Sequence, residues 1–173
     1  IGLLGLMSDF GTAAIFFVTF LVIAYLRSGD AATLALICGG AVFGAGIIVK
    51  FKPYILSRFA AWGHAWEAAS GSGYQQTRTM SAAASGGLFG MGAGNGWLEN
   101  IPAGDTDLVF GMLSEEWGLV IALLAVACIL TLAWFAVRAS RAGRSSFYTI
   151  AACAAGSLLV FQTCLNVFGS VDI

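Results

Sequence analysis

Four long apolar runs constrain this chain more than any other feature of its sequence. They cover Asp9 to Leu26, Ala32 to Val49, Leu108 to Val137, and Phe147 to Phe168. A helix of about 18 residues rises roughly 27 Å, close to the roughly 30 Å hydrocarbon core of a bilayer. Charged residues make up only 10% of the chain and hydrophobic residues 59%, unlike a soluble domain, which is roughly a quarter charged. The sequence therefore predicts an all-α, polytopic integral membrane protein.

A single large loop, from Lys50 to Asp107, separates the second run from the third. Basic residues flank the shorter connections, at Arg27, Arg138, Arg141 and Arg144. The positive-inside rule places those connections in the cytoplasm and the large loop outside, although long loops follow the rule poorly. We therefore interpret residues 1–173 as one membrane domain, with about four transmembrane helices and an extracytoplasmic loop over residues 50–107. Because the chain begins at Ile1 without an initiator methionine or a leader, we expect it to be part of a longer protein.

The large loop has predicted elements of its own. Aromatic residues at near-helical spacing favour an interfacial helix from Tyr54 to Trp66. A second short helix is predicted from Tyr74 to Ser85, ended by the glycine pair that follows it. The next segment, Leu88 to Trp97, is dense in glycine, which favours tight turns. Backbone N–H groups that approach a ligand closely are the alternative for this segment.

Acidic residues precede and interrupt the third apolar run. Asp105 and Asp107 lie just before it, and Glu115 and Glu116 lie inside it. Ionisable groups at bilayer depth are unfavourable unless water, a partner or a cation stabilises them, so these acids indicate a functional region. Because adjacent helical residues point about 100° apart, we expect one glutamate to line a cavity and the other to pair elsewhere. The lipid-facing part of the run is predicted from Trp117 to Val137.

Polar side chains and cysteines also occur within the spans. Gln162 and Asn166 are one helical turn apart in the fourth run, and we predict that they hydrogen-bond between helices rather than bind substrate. The cysteines have no metal-like spacing and are predicted to be apolar packing residues. They are Cys38, Cys128, Cys153 and Cys164.

Several short motifs follow one another along the chain. They are Met7-Ser8-Asp9-Phe10-Gly11-Thr12-Ala13, Gly71-Ser72-Gly73-Tyr74-Gln75, Ser85 to Gly92, Ile101-Pro102 with Thr106 to Phe110, Glu115-Glu116-Trp117-Gly118, and Phe161-Gln162 with Asn166 to Gly169. In this order and spacing they resemble the SEDS family (shape, elongation, division and sporulation), the FtsW, RodA and SpoVE proteins. The resemblance covers nearly the whole chain. The chain departs from the family pattern in three places. Met7-Ser8 replaces glutamine-proline, Ala68-Ala69 follows Glu67 where the family usually has aspartate-proline, and Asp105 replaces a common histidine.

The resemblance implies a ten-helix membrane fold of which this chain forms a part. It also implies a peptidoglycan glycosyltransferase that polymerises lipid II at the outer face of the bacterial cytoplasmic membrane, in division, elongation or sporulation. The partners it implies are lipid II, glycan linked to undecaprenyl pyrophosphate, membrane lipid and a class B penicillin-binding protein, with no nucleic acid. A lipid II transporter (flippase) and a scaffold for the penicillin-binding protein are alternative functions.

The same resemblance makes Asp107 the essential carboxylate. Asp107 would act as the base for the acceptor hydroxyl or as a ligand of a divalent cation, Mg²⁺ or Mn²⁺. A helix N-cap at the start of the third run is the alternative. Substrate contacts are predicted for basic, aromatic and acidic residues in and after the loop, because cationic groups bind diphosphate strongly. These residues are Lys50, Lys52, Arg58, Tyr74, Gln75, Arg78, Glu115 and Glu116.

Overall fold

The structure is a computed structural model that describes residues 10–51, 64–67, 69–71, 73–101, 104–140 and 145–172, with the backbone alone at residues 10, 51, 104 and 105. All regular secondary structure in these ranges is helical. In chain order the elements are α1 (Phe10–Ser28), α2 (Ala31–Phe51), α3 (Tyr74–Gly86), a 3₁₀ helix (Leu98–Asn100), α4 (Gly104–Asp107), α5 (Val109–Glu116), α6 (Leu119–Ser140) and α7 (Ser146–Val171). The chain divides into two compact units, the first Ile1–Pro53 with Ile129–Gln162 and the second Tyr54–Cys128 with Thr163–Ile173.

Four of the helices, α1, α2, α6 and α7, are long and apolar enough to cross a membrane. Their apolar segments have mean hydropathies between 1.7 and 2.8 and lengths of 18 to 26 residues. At about 1.5 Å per residue, each of these segments is long enough to traverse most or all of a hydrocarbon core. The predicted all-α, polytopic fold with four membrane-spanning helices is confirmed.

In the first unit, a tight connection joins α1 to α2. Gly29 has φ +65° and donates its N–H to the Tyr25 carbonyl at 2.8 Å, which ends α1. The Asp30 carboxylate then caps α2, accepting from the Ala32 N–H at 3.0 Å and from the Thr33 hydroxyl at 3.2 Å. The Ala32 N–H, with help from Thr33, holds the pKa of Asp30 below its usual value. The connection therefore satisfies helix ends locally.

Small residues line the contact between α6 and α7 in the same unit. A Cβ built at Gly156 would lie 3.7 Å from the Ala133 carbonyl oxygen, which is ordinary van der Waals contact. The Thr149 hydroxyl of α7 donates to the Ser140 carbonyl at the end of α6, at 3.0 Å. Small side chains let two helices approach closely, and hydroxyl groups satisfy carbonyls at the helix end.

In the second unit, α3 packs closely against α5. Helix α3 ends at Gly86, one residue later than the sequence predicts, and the predicted short helix is confirmed. A Cβ at Gly86 would collide with the backbone of Ser114 and Glu115, so the two helices touch at their backbones. Beside this contact, Leu98 and Leu108 are buried with Ala82, and Trp97, Ile101 and Met112 pack around them. This small core includes Leu108, the residue that follows Asp107.

The third apolar run, Leu108 to Val137, contains two helices rather than one. The longer of them, α6, covers the predicted lipid-facing part from Trp117 to Val137 except for its first two residues. Helix α5 ends at Glu116 and α6 begins at Leu119. Gly118 between them has φ +87°, a backbone conformation that side chains disfavour, and a Cβ there would collide with the Leu88 carbonyl. The segment that follows α3 occupies the space beside the break. This approach of backbone to backbone is the physical reason for the interruption.

The same segment satisfies the backbone groups that the break exposes. On the side of α5, the Glu115 and Glu116 carbonyls accept from the Met91 and Gly92 N–H groups at 2.9 and 3.0 Å. On the side of α6, the Leu119 and Val120 N–H groups donate to the Gly87 and Leu88 carbonyls at 3.0 and 3.4 Å. We call residues 87–92 the insert loop. It replaces the hydrogen bonds that a continuous helix would have made.

Other predicted features fall on residues that the structure does not describe. Residues 54–63 of the predicted interfacial helix lie outside the described ranges, and Ala65 to Glu67 form a turn. The Ala65 N–H of that turn donates to the Asp172 carboxylate at 2.9 Å, which ties the turn to the end of α7. Arg141 and Arg144 also lie outside the described ranges.

Candidate functional site

Asp107 is exposed. It is the last residue of α4, and only Leu108 separates it from α5. Leu108 is buried in the small core, whereas the Asp107 side chain points to the exterior. Its carboxylate oxygens form no hydrogen bond or ion pair with any residue in the described part of the chain. The N-cap of α5 is Leu108, so the alternative prediction, that Asp107 caps the helix that follows it, is wrong.

The backbone around Asp107 is held by Asn166 from α7. The Asn166 amide oxygen accepts from the Phe110 N–H at 2.9 Å, which caps the first turn of α5 from another helix. The Asn166 amide nitrogen donates to the Asp107 carbonyl at 3.1 Å and to the Thr106 carbonyl at 3.4 Å. The predicted helix-to-helix hydrogen bonding of Asn166 is confirmed. Gln162, one turn earlier, is exposed.

Glu115 is buried, with 1% of its surface exposed. Its two carboxylate oxygens accept from the Trp97 N–H at 2.9 Å and from the Leu98 N–H at 3.1 Å. These N–H groups belong to the N-cap and the first residue of the 3₁₀ helix, and their hydrogen bonds to a carboxylate are charge-assisted. The sequence places Glu115 among the substrate contacts, but in the structure both of its oxygens are engaged by the chain itself. Its geometry is that of an anchor for the segment leading to Asp107.

Glu116 has a different environment from its neighbour. Its side chain is partly exposed and lines an open cavity of about 240 Å³. The rest of the lining is apolar and comes from α5 and the break, namely Val109, Met112, Leu113 and Trp117. The two adjacent acids therefore separate as expected from their angular offset on the helix, one pairing with backbone and the other facing a cavity.

The glycine-dense segment forms turns that use its own N–H groups. The Gly90 N–H donates to the Gly86 carbonyl at 2.8 Å and the Asn95 N–H to the Gly92 carbonyl at 3.1 Å. The N–H groups of Met91 and Gly92 are bonded to α5, as described above. The turn interpretation is confirmed for these residues. Those N–H groups are not available to a ligand.

The structure describes only some of the predicted substrate-contact residues of the loop. Lys50 is exposed near the end of α2, in the first unit, and Lys52 and Arg58 lie outside the described residues. In the second unit, the exposed Arg78 guanidinium lies 5.3 Å from the centroid of the Tyr74 ring, a cation–π distance. Gln75 is partly buried on the same helix. The structure thus brings Arg78 and Tyr74 together on α3.

Asp107 supplies one carboxylate, so a divalent cation there would need its other ligands from substrate phosphates and water. Among the described residues, no group of three or more histidine, cysteine, aspartate or glutamate side chains is placed to hold a metal ion. Mg²⁺ commonly binds through one or two carboxylates together with substrate phosphates and water. A single exposed carboxylate at Asp107 is compatible with that arrangement, and the cation stays a prediction.

The partners of Asn166 and Glu115 are not evident from the sequence. Asn166 lies 56 residues from Phe110, and Glu115 lies 17 residues from Leu98. A signal is nevertheless present in both cases, because each is a polar side chain within an apolar run. Such a side chain needs a polar partner, and the free N–H and C=O groups at helix ends are the nearest source.

Comparison with known proteins gives consistent results along the whole chain. The family model for FtsW, RodA and SpoVE, described as a cell cycle protein, matches residues 1–173. The chain is 33% identical over 167 residues to a probable peptidoglycan glycosyltransferase FtsW of Escherichia coli O157:H7, covering 92% of this chain and 40% of the relative. It is 30% identical over 172 residues to the peptidoglycan glycosyltransferase RodA of Mycobacterium tuberculosis, covering 98% and 36%.

The chain spans about two fifths of the length of these curated relatives. Its described helices, four of them long and apolar enough to cross a membrane, agree with the membrane fold implied by the motifs. The family match extends over every residue from the first motif to the last. This protein belongs to the FtsW/RodA/SpoVE family, the SEDS proteins of bacterial membranes.

Proposed function

We propose that the full-length protein is a peptidoglycan glycosyltransferase that polymerises lipid II at the outer face of the cytoplasmic membrane. The relatives named peptidoglycan glycosyltransferase support this reaction class. The exposed carboxylate of Asp107, free of hydrogen bonds to the described residues, is the observation that carries the proposal. Asp107 directly precedes the buried Leu108, at the boundary between the large loop and an apolar helix.

The proposed chemistry needs a group that accepts a proton. The acceptor hydroxyl oxygen forms a bond to the anomeric carbon of the donor glycan, and the bond from that carbon to the diphosphate oxygen breaks. The diphosphate leaves with the electron pair, and the hydroxyl proton goes to the Asp107 carboxylate. A carboxylate without hydrogen bonds has its lone pairs available for this transfer, whereas one such as Glu115 would first have to release its backbone partners.

The departing diphosphate needs positive charge. Arg78 and Lys50 are exposed and are proposed diphosphate contacts, together with Lys52 and Arg58. Tyr74 lies against the Arg78 guanidinium and limits its orientations. In the alternative role, as a cation ligand instead of the base, Asp107 would hold a Mg²⁺ or Mn²⁺ ion, which would neutralise developing charge on the diphosphate.

A class B penicillin-binding protein is the proposed partner, as the family resemblance implies. A lipid II transporter, the alternative function, would use the intramembrane acids and the glycine-rich segment as a gate. In the structure, Glu115 is engaged by backbone, and the insert loop is hydrogen-bonded to both sides of the helix break. These contacts favour a fixed anchor over a moving gate, so the glycosyltransferase is the better-supported function.

The test is substitution of Asp107 in the purified full-length protein. We expect Asp107→Ala and Asp107→Asn to lower the rate of lipid II polymerisation by roughly 10²- to 10⁴-fold, the range typical of losing a general base. The products are separated by size, so that polymer and unreacted lipid II are both quantified. An unchanged polymer yield with Asp107→Ala would refute the proposal.

Asp30→Asn is the matched control. Asp30 is also an exposed aspartate near a helix end, and asparagine is an equally good N-cap for α2. We expect this variant to polymerise lipid II at the rate of the unmodified protein. A scaffold function is tested in cells, where growth supported by an inactive Asp107→Ala protein would favour scaffolding over catalysis.

A further inference from the structure

We propose that Asn166 is a positioning residue for Asp107, holding the α4–α5 junction in the arrangement that presents the carboxylate. This inference rests on the proposed function, because positioning has meaning only if Asp107 takes part in the reaction. Asn166 belongs to α7, a helix separate from the two that it joins. Its side chain hydrogen-bonds to backbone on both sides of Leu108.

The hydrogen bonds of Asn166 use both ends of its amide. The Phe110 N–H can only donate, so it faces the amide oxygen at 2.9 Å. The Asp107 and Thr106 carbonyls can only accept, so they face the amide nitrogen at 3.1 and 3.4 Å. The partners therefore fix the orientation of the amide. No side chain without both a donor and an acceptor can reproduce this set.

The contacts act on the backbone of Asp107 rather than on its carboxylate. Residue 108 interrupts the helical hydrogen bonding between α4 and α5, so the direction of the Asp107 side chain depends on how the two helices meet. Leu108 fixes one side of the junction by burial in the small core. Asn166 fixes the other by binding the last carbonyls of α4 and the first turn of α5. A displacement of about 1 Å at a catalytic group lowers rates by as much as 10²-fold.

The contacts also have a purely structural interpretation, because capping stabilises α5. Asn166→Asp separates the two roles. Aspartate has the same shape and keeps an oxygen for the Phe110 N–H, so the cap is retained. It lacks the amide hydrogens that bind the Asp107 carbonyl, and it places a second oxygen against that carbonyl.

In the full-length protein, we expect Asn166→Asp to remain folded, with a melting temperature modestly below that of the unmodified protein, because an oxygen replaces the donor that faces the Asp107 carbonyl. We expect kcat for lipid II polymerisation to fall roughly ten- to hundredfold, while KM stays within a factor of about three. Ser157→Ala in α7 is the matched control, because that hydroxyl bonds only to its own helix, at the Ala154 carbonyl. A folded Asn166→Asp protein with an unchanged kcat would overturn the inference.

A mutant cycle keeps the inference testable if Asn166→Asp does not fold. Asn166→Ala and Asp107→Asn are combined, and the four rates are compared. If Asn166 acts through Asp107, the double variant has the same rate as Asp107→Asn alone. If Asn166→Ala lowers the rate by the same factor in both backgrounds, it acts independently and the inference is wrong. Full activity of Asp107→Asn by itself would instead show that the proposed function is wrong, before any Asn166 variant is considered.

Discussion

Glycines occupy opposite environments in α2 and in the second unit. In α2, an added Cβ would meet nothing within 4 Å among the described residues at Gly39, Gly40, Gly44 or Gly46. In the second unit, an added Cβ would collide with neighbouring atoms at Gly86, Gly90, Gly111 or Gly118. The residue type is the same, but the physical reason for it differs. In the second unit, glycine permits backbones to touch at Gly86, Gly90 and Gly118 and makes room for the Thr79 side chain at Gly111. In α2, the four glycines face no described atom within 4 Å.

This difference between the glycines shows that the tightest packing among the described residues lies in the second unit. The contacts between α3, α5 and the insert loop leave no room for an added carbon at Gly86, Gly90 or Gly118, and they fix the chain that leads to Asp107. Small residues in a membrane helix are common and permit packing without specifying a partner. The second unit should therefore respond sharply to glycine substitution, and α2 should not.

The largest effect is expected for Gly118→Ala. The residue has φ +87°, and its Cβ would collide with the Leu88 carbonyl. Backbone strain of about 1–3 kcal/mol and overpacking of about 1–3 kcal/mol both apply, so we expect a loss of roughly 2–6 kcal/mol in the free energy of unfolding. The measurement is denaturant unfolding of the full-length protein in detergent. Stability equal to that of the unmodified protein would mean that the insert loop does not enter the helix break.

An intermediate effect is expected for Glu115→Gln. Glutamine keeps one acceptor for the Trp97 or Leu98 N–H but turns an amide group toward the other, leaving a buried donor unsatisfied. We expect the free energy of unfolding to fall by about 1–3 kcal/mol. Glu116→Gln is the matched control at the adjacent, partly exposed position, and it should change stability by less than about 0.5 kcal/mol. Equal effects of the two substitutions would contradict the anchor role of Glu115.

The smallest effect, and one of opposite sign, is expected for Gly40→Ala. Because a Cβ there meets no described atom and alanine is the better helix former, we expect a gain of about 0.5–1 kcal/mol. The same unfolding measurement applies. A loss of stability would break the comparison, because it would show that this face of α2 packs against another helix in the full-length protein.

The long helices and the shorter α3 are predictable from the sequence because their signals are local. Composition over about 20 residues identifies a membrane span, and the Gly86-Gly87 pair marks the end of α3 within one residue. The turns after α3 follow from the glycine density alone. The capping of α2 by Asp30 likewise depends only on residues within three positions of it.

The break between α5 and α6 is not predictable in this way. Leu108 to Val137 reads as one apolar run, and a lone glycine within such a run is tolerated in a helix. The interruption depends on the insert loop, whose hydrogen-bonding partners are distant in the sequence. The contact of Asn166 with the α4–α5 junction likewise depends on partners that are distant in the sequence. Local pattern predicts that its amide needs partners but does not identify them.

The insert loop also has a consequence for hydration. An interrupted helix exposes peptide dipoles, and in a nonpolar environment each one without a partner is unfavourable by several kcal/mol. At this interruption, backbone groups of the insert loop hydrogen-bond to the last carbonyls of α5 and the first N–H groups of α6. Water molecules often fill that role at a helix end. These four backbone groups therefore need no water molecule as a partner, although they lie at the end of an apolar span.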